Sequence, residues 1–191
     1  MKKSIVVGGV VLGIIYAVMK YDTDKAFGFR EEVQLSSGEI VEIDRHMVMR
    51  PLGEVGGPGG GETLESGFSI LVPNEAEKIP SWKSSEGLIP MVLDRDPRNN
   101  EWFVVSTYFT CAVWERVGKP AVPYIEFRLK GGIWKKVPLE RELIGRRQNV
   151  LLRISIKGEN GRHTLATKEL RNRDERIAKQ YLFITETPTC G

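Results

Sequence analysis

The chain predicts a mainly β fold, a sandwich-like or strongly curved antiparallel sheet. One C-terminal α-helix follows it, and an N-terminal transmembrane helix precedes it. Three observations carry this reading. Short stretches of period-two alternation recur from residue 31 to residue 156, punctuated by Gly, Pro and Asn turns. Past Thr167 the apolar spacing becomes helical. Ser4 to Met19 (SIVVGGVVLGIIYAVM) is an unbroken apolar run behind Lys2 and Lys3, ended by Lys20.

At 1.5 Å rise per residue the apolar run spans about 24 Å, somewhat short of a hydrocarbon core of roughly 30 Å. Lys3 and Lys20 can reach the surface, and Tyr16 and Tyr21 can sit at headgroup level, so a short span suffices. The division is therefore residues 1–21 as membrane anchor, 22–30 as linker and 31–191 as a soluble mainly-β domain. A cleaved signal peptide is the closest rival, but Ala17 followed by Met19 makes a poor cleavage site. Ile5-Val6-Val7-Gly8 with Gly13 imitates the start of a dinucleotide-binding unit. Val10 stands where its second glycine must approach the pyrophosphate, so that reading fails. Gly9, Gly13 and Ala17 recur every four residues and form a face on which membrane helices associate closely, which suggests self-association. Lys and Arg are nearly balanced across the run. The preferred orientation keeps the short basic N-terminus inside, giving a single-pass protein of the inner (cytoplasmic) membrane with a periplasmic C-terminal domain.

The 191 residues leave room for one domain beyond the anchor. Hydrophobic residues at 41% with 28% charged residues indicate a globular chain, not a disordered one. A net charge of +3 is too mild to argue for nucleic acid. Cys111 and Cys190 could close a long loop in an oxidising compartment, worth about 4 kcal/mol by loop-closure entropy. Such a bridge would also tie down the C-terminus.

Glu31 to Met49 reads as a hairpin turning at Ser36-Ser37-Gly38-Glu39. Residues 51–62 hold too many glycines for regular structure and read as a surface loop. No Lys-Ser or Lys-Thr follows them, so they are not a P-loop. Phe68 to Val72 is a short strand. Leu88 to Leu93 carries Pro90, which confines it to an edge or a bulge. Trp102 to Trp114 is apolar on both alternating sets and reads as one strand covered on both faces. Tyr124 to Leu139 is a hairpin about Gly131-Gly132, with Glu126, Arg128 and Lys130 on a solvated outer face. Val150 to Ile156 is a further strand. After Thr167, a plausible N-cap, Leu170, Ile177, Tyr181 and Ile184 form the apolar stripe of a helix. Lys168, Arg171, Arg176 and Lys179 form its basic face.

Catalytic signatures are scarce. Asp94, Asp96 and Glu101 sit in the densest polar cluster, but Arg98 and Asn99 occupy positions that a calcium loop of the EF-hand type reserves for a ligand and a glycine. The turn dipeptides Asp-Pro and Asn-Asn give that cluster an ordinary role between strands. His46 and His163 lie in different segments, without zinc-ligand or HExxH spacing, so no metal and no cofactor is implied. Cys111 falls inside an apolar strand, which argues against a nucleophile. No hydrolase motif occurs, and none of the motifs names a family. The expected function is a non-enzymatic binding or assembly module tethered to the membrane and contacting an envelope protein. One alternative is an extracytoplasmic hydrolase using the carboxylates of residues 94–101. The other is a cytoplasm-facing module that binds a polyanion through Arg171, Arg176 and Lys179.

Overall fold

The computed structural model describes residues 24–52, 60–71, 79–152, 161–172, 179–187 and 190. The expected membrane helix and its Gly9/Gly13/Ala17 face lie outside them. Among the described residues, no helix is long and apolar enough to cross a membrane.

Two sheets make the body. The first contains β1 (Lys25–Gln34), β2 (Ile40–Leu52), β3 (Gly60–Leu71), β4 (Trp82–Ser84) and β9 (Arg162–His163), in the order β4-β3-β2-β1-β9. The second contains β5 (Ile89–Arg95), β6 (Trp102–Thr107), β7 (Tyr124–Lys130) and β8 (Ile133–Val137), in sequence order. Neighbouring strands pair antiparallel, except that β9 runs parallel to β1.

Alternation explains most of these strands. On β1, Phe29, Glu31 and Val33 point inward while Gly28, Arg30 and Gln34 face out. The same period begins earlier than expected. Lys25 already pairs with Met49, so most of the connector read at 22–30 is strand. Ser36 to Glu39 closes the β1–β2 hairpin, with Gly38 at φ +88°. The hairpin of β7 and β8 turns at Gly131 and Gly132, both at positive φ, as a tight two-residue connection requires. Pro90 behaves as its chemistry dictates: β5 is an edge strand, and its pairing with β6 slips between Pro90 and Val92.

The principal core lies between the sheets. Val33, Ile43, Phe68 and Trp82 of the first sheet meet Leu93, Val104 and Ile125 of the second. A second cluster covers the other face of the four-stranded sheet, where Met91, Phe103, Val105 and Tyr124 pack with Leu143, Leu152 and Ile184. The strands β5 and β6 are thus buried on both faces.

Four expectations need correction. Trp102 to Trp114 is not one strand, because the ladder stops at Thr107 and a short helix, α1 (Cys111–Arg116), follows. Thr110 caps it by accepting the Val113 N–H, and Val113 and Val117, four residues apart, supply its buried side. Residues 60–62 of the glycine-rich stretch are strand, paired with residues 50–52, while 53–59 lie outside the described residues. Of the strand expected at Val150 to Ile156, residues 150–152 are not strand and 153–156 lie outside the described residues, although the N–H groups of Asn149 and Val150 donate to the Met91 carbonyl and close the β5 edge.

The C-terminal helix is the fourth correction. Helix α2 (Leu165–Asn172) begins before the expected cap, and Thr164 is the residue whose hydroxyl accepts the Thr167 N–H. Its phase is the opposite of the one expected: Leu170 is 66% exposed and Lys168 is 6% exposed. Tyr181 belongs to a separate turn of 3₁₀ helix, Lys179–Tyr181, and Ile184 follows it in non-helical chain.

Candidate functional site

The expected carboxylates come together, but around arginines. Asp94, near the end of β5, is buried and paired with Arg146, and it accepts the backbone N–H of Ser36 at 2.9 Å. Asp96 accepts Arg128 Nη1 at 2.6 Å and Arg98 Nη2 at 2.7 Å. The guanidiniums of Arg98 and Arg128 hold its carboxyl well below the usual carboxylate range, against the opposing effect of burial. Glu101 lies 3.5 Å from Arg128.

Arg128 is the hub of this group. Its Nε donates to Glu126 Oε1 at 2.6 Å, and its Nη2 pairs with Glu140 at 2.9 Å. The second oxygen of Glu126 takes the Glu140 N–H at 2.9 Å. The Phe103 ring lies 5.5 Å from the Arg128 guanidinium and 5.3 Å from that of Arg146. Glu126 and Arg128 therefore do not sit on a solvated face. The segment through Glu140 covers them, and Glu126 is fully buried.

Chemically, this cluster is a clamp. An Asp96 locked in its ionised form has no proton to give as a general acid at neutral pH, and its lone pairs are occupied by charged donors. Sequence reasoning missed Glu126, Arg128 and Arg146. The signal for the first two was present in their shared parity on β7. The chain that covers them comes from a later segment, which alternation does not reveal.

A second buried ionic group joins β1, β2 and α2. Arg45 Nη1 donates to Glu31 Oε1 at 2.6 Å, and Lys168 Nζ reaches Glu31 Oε2 at 2.7 Å. The Leu151 N–H donates to the same carboxylate at 2.9 Å. Burial raises the Glu31 carboxyl, but Arg45, Lys168 and that N–H outweigh it and leave it below its ordinary value. Burial lowers Lys168, and Glu31 only partly offsets the effect.

The basic face read on the C-terminal helix is accordingly not assembled as such. Lys168 is spent internally, Arg171 is half-buried, and Arg176 and the Lys179 side chain lie outside the described residues. Cys111, the first residue of α1, is disulfide-bonded to Cys190, with Cα atoms 5.6 Å apart. Cys111 is exposed, which the strand reading could not provide. Among the described residues, no group of three His, Cys, Asp or Glu side chains could hold a metal ion.

Two open clefts lie near Tyr124. One, of about 520 Å³, is lined by Pro120, Val122, Ile125, Val137 and Leu139, with Lys136 among them. The other, of about 480 Å³, is lined by Ile144, Phe183 and Ile184 among others. Tyr124 also lines the first cleft, and its hydroxyl lies within hydrogen-bond distance of the carbonyls of Gln180 and Phe183 and of Thr185 Oγ1.

Fold and geometry define a disulfide-closed, two-sheet β domain with internal ion clusters and shallow apolar clefts. Compared with protein-family models, with curated proteins and with solved structures, the chain matches none.

Proposed function

We propose that the chain is a single-pass, membrane-tethered protein whose extracytoplasmic β body, a sandwich of the two sheets, acts as a binding or assembly module. Its partner is another envelope protein, and the 1–21 segment holds it at the inner membrane and offers Gly9, Gly13 and Ala17 for self-association. The observation that carries the reading is the Cys111–Cys190 disulfide. Such bonds persist where thiols are not kept reduced, which agrees with export behind the apolar run.

The engagement of the carboxylates supports a binding role over hydrolysis. Glycoside or peptide hydrolysis by paired carboxylates needs one protonated partner and one free one. Asp94 and Asp96 are both committed to arginines.

The test is a reporter fused after Gly191 that matures only outside the cytoplasm, combined with thiol blocking before and after reductant. Reporter activity, with both cysteines blocked only after reduction, is the expected result. A full-length fusion whose reporter stays inactive, with both thiols blocked before any reductant is added, would end the proposal.

A further inference from the structure

We propose that the cleft beside β8 takes the acyl chain of an anionic single-chain lipid, a long-chain carboxylate, with Lys136 at its head. The inference rests on the tethered reading for its supply of lipid and adds the ligand class.

The cleft is of ligand size, about 520 Å³, within the range of small-molecule sites. Its walls are apolar, with Pro120, Val122, Ile125, Val137 and Leu139 as the main surfaces. Lys136 is the single charged side chain among its lining residues. Its Nζ donates to the Val117 carbonyl at 2.9 Å, which fixes the ammonium in place. No carboxylate pairs with it among the described residues, in contrast to Lys168, Arg98, Arg128 and Arg146, each of which has one. An ammonium carries three N–H groups, so two remain for a ligand carboxylate.

The same walls disfavour a peptide. A bound peptide brings backbone N–H and C=O groups that must be satisfied when buried. Here β8 ends at Val137 and is followed by Pro138, and Pro120 lies among the facing residues, so two of the nine lining residues bring no N–H donor. An acyl chain makes no such demand. Lipid is also close at hand. Phe27 packs on the same buried cluster as Val122 and Leu139, and from Met19 to Phe27 the chain spans at most about 29 Å when fully extended.

The experiment uses the full chain in nanodiscs of zwitterionic lipid, with a photoreactive long-chain carboxylate as probe and the long-chain alcohol of equal length as control. Crosslinks are mapped by mass spectrometry. Expected are crosslinks within residues 120–125 and 136–139, far weaker labelling by the alcohol, and about tenfold weaker carboxylate binding in K136Q, the loss of one charge-assisted contact. Lys136 is exposed, so K136Q should keep the wild-type unfolding midpoint. Crosslinks elsewhere, or equal labelling by acid and alcohol, or an unaltered K136Q would overturn the proposal. Repeating the labelling in buffer, below the probe's micelle concentration, separates the two readings. A chain that fails to float with membranes removes the tether, while the crosslink map still decides the cleft.

Discussion

Lys168 Nζ lies 2.7 Å from Glu31 Oε2, and both side chains are withdrawn from solvent. Its other two N–H groups go to the carbonyls of Glu32 and Asn149, so all three donors of the ammonium are used. One lysine thus ties α2 to β1 and to the chain that closes the β5 edge.

The charges at this site are uneven, one carboxylate against two cations. Glu31→Gln strands Arg45 and Lys168 beside each other and should cost about 3–5 kcal/mol. Lys168→Met leaves the Glu31–Arg45 pair balanced and should cost less, about 1–3 kcal/mol, mainly through the acceptors left bare. Leu170→Lys, on the exposed side of the same helix, should fall within about 0.5 kcal/mol of wild type. Urea midpoints of the three variants test the order, and a Leu170→Lys cost above that of Lys168→Met would refute it.

Acid should unfold the domain through the same carboxylates. Glu31 and Asp96 both have folded pKa values below their ordinary 4.5 and 3.8. The unfolded state then binds more protons in that window. Their stabilisation is complete above the ordinary values and is lost as pH falls toward the folded ones. Lys168 acts at the other end. Its folded pKa is depressed below 10.5, so its contribution grows as pH climbs through the window beneath that value. Unfolding midpoints measured against pH should show an acid limb that is flatter in Glu31→Gln and Asp96→Asn than in wild type.

The Cys111–Cys190 bond joins residues 79 apart in sequence. Loop-closure entropy gives it about 4.5 kcal/mol. The double serine variant should lose roughly that amount in denaturant titration, and wild type measured in reductant should coincide with it. A variant as stable as the oxidised chain would show that the bridge leaves the unfolded ensemble unconstrained.

Gly67 of β3 has no room for a side chain. A Cβ there would stand 2.6 Å from His46 Nε2 and 2.6 Å from the Trp82 carbonyl oxygen. Gly67→Ala should cost about 1–3 kcal/mol by overpacking. Adding His46→Ala should recover only part of this, because the Trp82 carbonyl belongs to the paired backbone of β4 and cannot step aside. Full recovery in the double variant would place the whole clash on the imidazole.

Strand periodicity was readable wherever one face meets the core and turn chemistry marks the ends. The hairpins at Gly38 and at Gly131-Gly132, and the edge position of β5 around Pro90, follow from local rules. The strand read through residues 102–114 failed because apolar or small residues on both alternating sets fit a doubly covered strand and a strand followed by a short helix equally well. Thr110, a capping residue inside the run, was the signal that could have separated them.

By itself, the sequence determined the β class, the places where the chain must turn, and the pair of cysteines available for a bridge. These depend on neighbours in sequence and on residue chemistry. The tertiary structure alone decided which charges are internal. Lys168, Glu126, Arg128 and Asp96 read as surface residues because the chain that covers them, and part of their ion partners, comes from remote segments. A charge enters a low-dielectric interior only where an opposite charge, hydrogen-bond partners and a covering segment already wait for it, and even the neighbouring Glu126 and Arg128 carry no sign in sequence of the segment that covers them.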